Sequence, residues 1–198
     1  MNETDNPYAA PSTAQPEANA AIDKSQFFYV VSPTKFIALY LTTFGLYGLY
    51  WMYRHWATYR RATRQEMWPV ARAIFSIFFF HSLYAEIDQR LRRLNVAYEW
   101  NPGTLATVTV VLSLAESVLS RMGRFGATGK IWPVLVIGCI PLIGFVKMTA
   151  QRAANAACED PIGSSNANFT VANILFLVLG GLFWPFVLIG MFLTQGAL

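Results

Sequence analysis

An all-α polytopic bundle of transmembrane helices is the fold class this sequence predicts, and three observations predict it. Three stretches, 36–53, 131–146 and 171–198, carry no charged residue. A run of about 18 or more apolar residues is long enough to cross a hydrocarbon core as a helix. The last stretch clears that length, the first just meets it and the middle one draws on its flanks. Charged residues make up only 13% of the 198, and mean hydropathy is +0.36. Third, Tyr47, Tyr50, Trp51 and Tyr53 crowd the end of the first stretch, just before Arg54, and amphipathic rings settle at headgroup depth. Together these predict about five spans, near 36–53, 68–85, 104–120, 131–148 and 171–194. They form one helical domain over 27–198, behind a disordered tail over 1–26.

Each element has its own justification. In the tail, Pro7, Pro11 and Pro16 interrupt any helix, and too little apolar surface exists there to offset chain entropy. Its acidic start lacks the positive charge of a secretory signal, so the first span is expected to act as the insertion signal. Phe27, Phe28, Tyr29, Val30 and Val31 are expected to lie along the membrane surface. Ser32 before Pro33 reads as an N-cap followed by the first helical position. Within the first span, Gly45 and Gly48 mark a helix-packing face, because small residues admit a close neighbour. A basic segment follows, carrying Arg54, Arg60, Arg61, Arg64 and Arg72.

The second candidate, 68–85, is the weakest, with a short uncharged part that includes His81. Beyond it, Ile87, Leu91 and Leu94 share one face, while Glu86 with Arg90 and Asp88 with Arg92 stand four apart. A span running into a surface helix is preferred over a re-entrant element. Asn101-Pro102-Gly103 is a turn signal, and the third candidate is apolar until Glu116. The fourth holds Pro141 and continues as an Ala-rich helix through Ala157, where residues 159–165 break it. The fifth offers Gly180 and Gly181 for packing, and Trp184-Pro185 marks a kink. Counting Lys and Arg over five spans puts segment 54–72 in the cytoplasm and the N-terminus outside. A second element that does not cross makes the imbalance larger.

Thr43-Phe44-Gly45-Leu46-Tyr47-Gly48-Leu49-Tyr50-Trp51 resembles the Thr-x-Gly-x-Tyr-x-x-Tyr-Trp first span of an uncharacterised family of small bacterial inner-membrane proteins. Asn6-Pro7-Tyr8-Ala9-Ala10-Pro11 is similar to the tail motif ahead of several bacterial membrane domains. The likeness continues through Arg72-Ala73-Ile74-Phe75 and the region from Asn168 to Asn173. It implies a multi-pass protein of the bacterial inner membrane and brings no established active site.

The net charge of +4 is scattered between spans, which suits orientation and anionic lipid rather than nucleic acid. Cys139 and Cys158 have neither metal-ligand nor redox spacing, so no metal or cofactor is expected. Enzyme motifs are missing, and residues 123–130 resemble a phosphate loop without its spacing. Glu116 is the most informative ionisable residue, on one helical stripe with Thr109, Ser113 and Ser120. An acid within a span is a functional candidate by default, here a proton or cation site, weighed against simple pairing with Arg121 or headgroups. His81 is read as a partner for Glu116 or as a packing residue, and Arg72 as a snorkelling cation or part of the same polar site. Gln151 and Asn155 lie one turn apart and are expected to bond Asn166, Asn168 or Asn173 as interhelical glue.

The leading expectation is therefore a non-enzymatic accessory or scaffold protein in the lipid bilayer, partnered by another membrane protein or a second copy. The alternative is a small transporter or channel using Glu116 with His81 or Arg72. A membrane-embedded lipid enzyme comes third.

Overall fold

The computed structural model describes residues 26–124 and 131–196, and every regular element among them is helical. In chain order these are α1 (Pro33–Thr42), α2 (Tyr47–Thr63), α3 (Pro69–Ile74), α4 (Ser76–Arg93), α5 (Pro102–Arg124), α6 (Ile131–Ala157) and α7 (Val171–Gly196), with a short 3-10 turn at Ser164–Asn166 before α7. The expected tail over 1–26, apart from Gln26, and most of the 123–130 loop lie outside the described residues. Three helical stretches among those described are long and apolar enough to cross a membrane: Pro102–Met122, Val134–Ala157 and Val171–Gly190. They coincide with the third, fourth and fifth expected spans, and α6 runs on through its Ala-rich end to Ala157.

The first expected span is not one helix. Ser32 caps α1, its Oγ accepting from the Lys35 amide at 3.3 Å, and Pro33 takes the first position. After ten residues the chain leaves the helix, with Phe44 at φ 54° and Gly45 at φ 84°. Glycine adopts that left-handed backbone without penalty, which makes residue 45 the natural breaking point. The Thr43 hydroxyl then accepts from the Tyr47 amide at 3.0 Å and starts α2. Ten helical residues rise about 15 Å, half of a hydrocarbon core about 30 Å thick.

Contacts with α6 give the direction of each arm. Val31, just ahead of α1, pairs with Asn155, while Tyr40 near its end lies over Gly144, so α1 runs antiparallel to α6. Gly48 faces Lys147, whereas Trp51 and His55 bond Gln151, so α2 runs parallel to it. The expected span over 36–53 is thus a helical hairpin whose two flanks emerge at the same end. Helix α7 covers its tip. Phe44 stacks on Trp184 with ring centroids 4.4 Å apart, and Trp184 Nε1 donates to the Leu41 carbonyl at 3.0 Å. The same carbonyl also accepts from the Phe44 amide at 3.2 Å, so the end of α1 and α7 share it.

The second expected span is also interrupted. Helix α3 has six residues and ends at Phe75, after which α4 begins afresh at Ser76. Helix α4 buries Phe80, Leu83, Tyr84, Ile87 and Leu91, an apolar stripe with helical spacing that faces α5 and α6. Asp88 and Arg92 pair as expected at 2.8 Å. Glu86 instead accepts from the Tyr59 hydroxyl at 2.6 Å, and the Arg90 guanidinium sits 4.1 Å over the Phe27 ring.

Residues 28–31 depart furthest from expectation. They are non-helical and buried in the core, with Val31 fully enclosed, rather than lying on a membrane surface.

Of the two α7 glycines expected to pack, only Gly180 meets a neighbour, whereas Gly181 faces open space, and the pair makes a test. A Cβ on Gly180 would overlap the Thr42 carbonyl, while one on Gly181 would meet nothing within 4 Å. Gly180→Ala is expected to destabilise the detergent-solubilised protein by about 1–3 kcal/mol, as overpacking does. Gly181→Ala should stay within about 0.5 kcal/mol of wild type. Thermal unfolding of the two variants side by side measures the difference.

Candidate functional site

The densest polar cluster lies where the C-terminal half of α6 meets residues 28–31. Gln151, Asn155 and Cys158 stand at four- and three-residue steps, hence on one face of the helix. Asn155 Oδ1 accepts from the Val31 amide at 3.3 Å, and its Nδ2 donates to the Val31 carbonyl at 2.9 Å. Gln151 Nε2 donates to the Tyr29 carbonyl at 2.9 Å, and Cys158 Sγ accepts from the Phe28 amide at 3.3 Å. From the loop after α6, Asn166 Nδ2 donates to the Val30 carbonyl at 2.8 Å. Side chains thereby supply the partners that the backbone of a buried non-helical segment would otherwise lack.

Gln151 is saturated. Its Nε2 donates to Tyr29 and to Asn155 Oδ1, and its Oε1 accepts from Trp51 Nε1 and from His55 Nε2 at 3.1 Å. Accepting through Gln151 makes His55 Nε2 the protonated nitrogen. Nδ1 then carries the lone pair, and it has no hydrogen-bond partner among the described residues. His55 is completely buried on α2, outside the three stretches long and apolar enough to cross a membrane. Burial holds its pKa down to about 3, against the Gln151 bond that favours the charged form, and the nearby Arg54 adds to the lowering. The ring is neutral in the folded chain at neutral pH.

The loop that carries Asn166 has its own anchor. Asp160 accepts from the Ser164 and Ser165 amides, each at 2.8 Å. Burial alone would raise its pKa, but these bonds outweigh it and hold the carboxyl at about 2. Asn166 Oδ1 also accepts from Lys35 Nζ at 2.7 Å. Asn166 therefore bonds Lys35 and residues 29–30, and neither Gln151 nor Asn155 reaches the loop asparagines as the spacing suggested.

The three expected ionisable candidates do not form one site. His81 is exposed on α4 and meets Thr107 Oγ1 at 3.1 Å. Glu116 lies nine residues further along α5, about 13 Å away along the axis, and accepts from Ser120 Oγ at 2.9 Å. Arg72 sits on α3, its guanidinium 4.2 Å over the Trp56 ring and 5.1 Å from that of Phe79. Lys147, which no motif singled out, is buried on α6 with its ammonium 5.4 Å from the Tyr40 ring and 5.1 Å from that of Phe80. Glu116 is near enough for its charge to act on Lys147. Gly48 lies against Tyr40 and Lys147, a closer approach than a larger side chain would allow.

His55 and Trp51 were also missed, although a signal existed. Trp51, His55 and Tyr59 recur at four-residue steps, the stripe of a helix continuing past Arg54. Both cysteines are free. Among the described residues no group of three His, Cys, Asp or Glu side chains is arranged to hold a metal ion. No protein-family model, no curated protein and no solved structure matches the chain.

Two outcomes follow from this cluster. Asn155→Leu leaves the Val31 amide and carbonyl buried without partners, at about 1–3 kcal/mol for each such group. Hydrogen exchange at residues 28–31 should accelerate more than at the buried face of α4. For pH, a base whose folded pKa lies below its unfolded value of about 6.5 is charged first in the unfolded chain. Stability should therefore fall as pH drops from about 6.5 towards 3, by at most about 5 kcal/mol over the interval. Melting of wild type and His55→Asn across that range checks it, since only the wild type carries this component.

Proposed function

We propose that the chain is a multi-pass protein of the bacterial inner membrane that works without catalysis, as an accessory or scaffold subunit for another membrane protein. The observation that carries this reading is the commitment of the buried amides to the chain's own backbone. Gln151, Asn155 and Asn166 bond residues 29–31, and all four hydrogen-bonding positions of Gln151 are taken within the protein. Such a network makes a rigid platform rather than a lined pathway. The likeness of residues 43–51 to the first element of a bacterial inner-membrane family supports the location.

The membrane topology proposed with it has three crossings, α5, α6 and α7, with the α1–α2 hairpin entering and leaving from one side. Lys35 and Arg54 flank that hairpin at the same end as Arg152 near the end of α6 and Arg90 over Phe27. An excess of Lys and Arg identifies the cytoplasmic side. Both hairpin flanks then belong to the cytoplasm, in place of the outside N-terminus that a five-span count requires.

A transporter or channel is the second reading, favoured by one observation. Lys147 is buried within a crossing helix, beside two aromatic rings and within electrostatic reach of Glu116. Affinity purification from native membranes in mild detergent separates the two. The accessory role predicts a stoichiometric membrane-protein companion that survives washing, and vesicles of the purified chain that pass no ions with either wild type or Glu116→Gln. Recovery alone, with a flux abolished by Glu116→Gln, would replace it with the transport reading.

A further inference from the structure

We propose that the protein holds one anionic phospholipid of the surrounding bilayer, its acyl chain between the α1–α2 hairpin and α7 and its phosphate on Arg54 and Lys35. The site has two joined parts. An apolar groove of about 630 Å³ is walled by Leu39 and Leu46 of the hairpin and by Phe176, Leu179 and Phe183 of α7. A polar cleft of about 320 Å³ contains Lys35, Arg54, Thr58 and Asn166. Tyr50, Thr170 and Asn173 line both, so one runs into the other.

Dimensions and charge select the occupant. Between Ala172 and Phe183, the limits of the groove along α7, a helix rises about 16 Å, close to one leaflet of a hydrocarbon core about 30 Å thick. The cleft is therefore at headgroup level when the groove is at acyl-chain level. Its lining includes two cations and no carboxylate. Lys35 is only 2% exposed, and its ammonium donates to two neutral oxygens, Asn166 Oδ1 at 2.7 Å and the Asn168 carbonyl at 2.6 Å. Arg54 is held in place by the Tyr50 hydroxyl at 3.1 Å and lies 4.9 Å over the Tyr29 ring. Neither cation has an ion-pair partner among the described residues. A buried cation without a counter-ion is unfavourable, and an anion in the cleft removes that penalty.

The N-terminus of α7 adds to the field. Thr170 and Asn173 cap it reciprocally, at 3.1 and 3.3 Å, and both line the cleft. The positive end of the helix dipole thus lies beside the two cations. A zwitterionic lipid brings a cation beside its phosphate and so offers the cleft no net negative charge. Free phosphate leaves the groove empty.

The test uses the full-length protein, delipidated in detergent, with native mass spectrometry of retained and added lipid. Phosphatidylglycerol is expected to bind about thirtyfold more tightly than phosphatidylcholine of the same chains, the contribution of two basic residues at an anionic surface. Arg54→Gln and Thr58→Glu, which remove and oppose the cleft's charge, should each cut that preference to about fivefold and together bring the two lipids within about twofold of one another. Leu179→Trp, at an exposed position in the groove, should weaken both lipids alike, with melting and elution volume reporting that the variants remain folded. Equal binding of both lipids by wild type overturns the proposal. So does a preference that survives both charge variants, or inorganic phosphate binding as tightly as phosphatidylglycerol. None of these readouts involves a companion protein, so this inference and the accessory role stand or fall separately.

Discussion

A non-helical segment buried among helices must find partners for its backbone outside itself, and residues 28–31 draw on borrowed side chains for their carbonyls and for the Phe28 and Val31 amides. Asn155 acts on Val31 as a strand residue would, accepting from the amide and donating to the carbonyl. Gln151, Asn166 and Cys158 serve Tyr29, Val30 and Phe28. The arrangement places the start of α1, which fixes where the hairpin lies against α6. The tip in turn gives α7 its seat, through Gly180 at Thr42 and Trp184 at Leu41. Each backbone group buried in this way requires a partner, so the network tolerates little rearrangement.

The long helices α5, α6 and α7 were legible because length and apolarity suffice to recognise a crossing helix. The same criterion misjudged 36–53. A helical hairpin and a single helix satisfy one hydropathy threshold equally, since both bury an apolar run. What separates them is backbone conformation at Phe44 and Gly45, and glycine at 45 was read for its small size rather than its left-handed freedom. Residues 27–31 misled for a related reason. Five apolar residues suit a membrane interface or a core, and the amides that settle the matter lie more than a hundred residues away.

Polar residues were legible as a class more than as a constellation. Gln151 and Asn155 stood out by spacing, but tertiary packing chose their partners. Glu116, His81 and Arg72 stood out by charge, and they occupy three separate surroundings because charge carries no information about which helices adjoin. His55 escaped notice because the first span was ended at Arg54, whereas the buried face of α2 passes beneath that arginine through Trp51, His55 and Tyr59.

The separation in sequence between the non-helical segment and the side chains that satisfy it sets an order of assembly. Val31 meets Asn155 across 124 positions, and Phe28 meets Cys158 across 130. While the chain is being made, residues 28–31 exist long before their partners do. Their amides and carbonyls must stay with water until α6 is complete, and so the segment cannot enter the apolar interior early. Residues 28–31 thus reach their final partners only once the chain has been synthesised through α6, and the helix pair that follows them is docked no earlier. A chain interrupted before that point leaves the backbone of residues 28–31 without the Gln151, Asn155 and Cys158 side chains that it bonds in the finished fold.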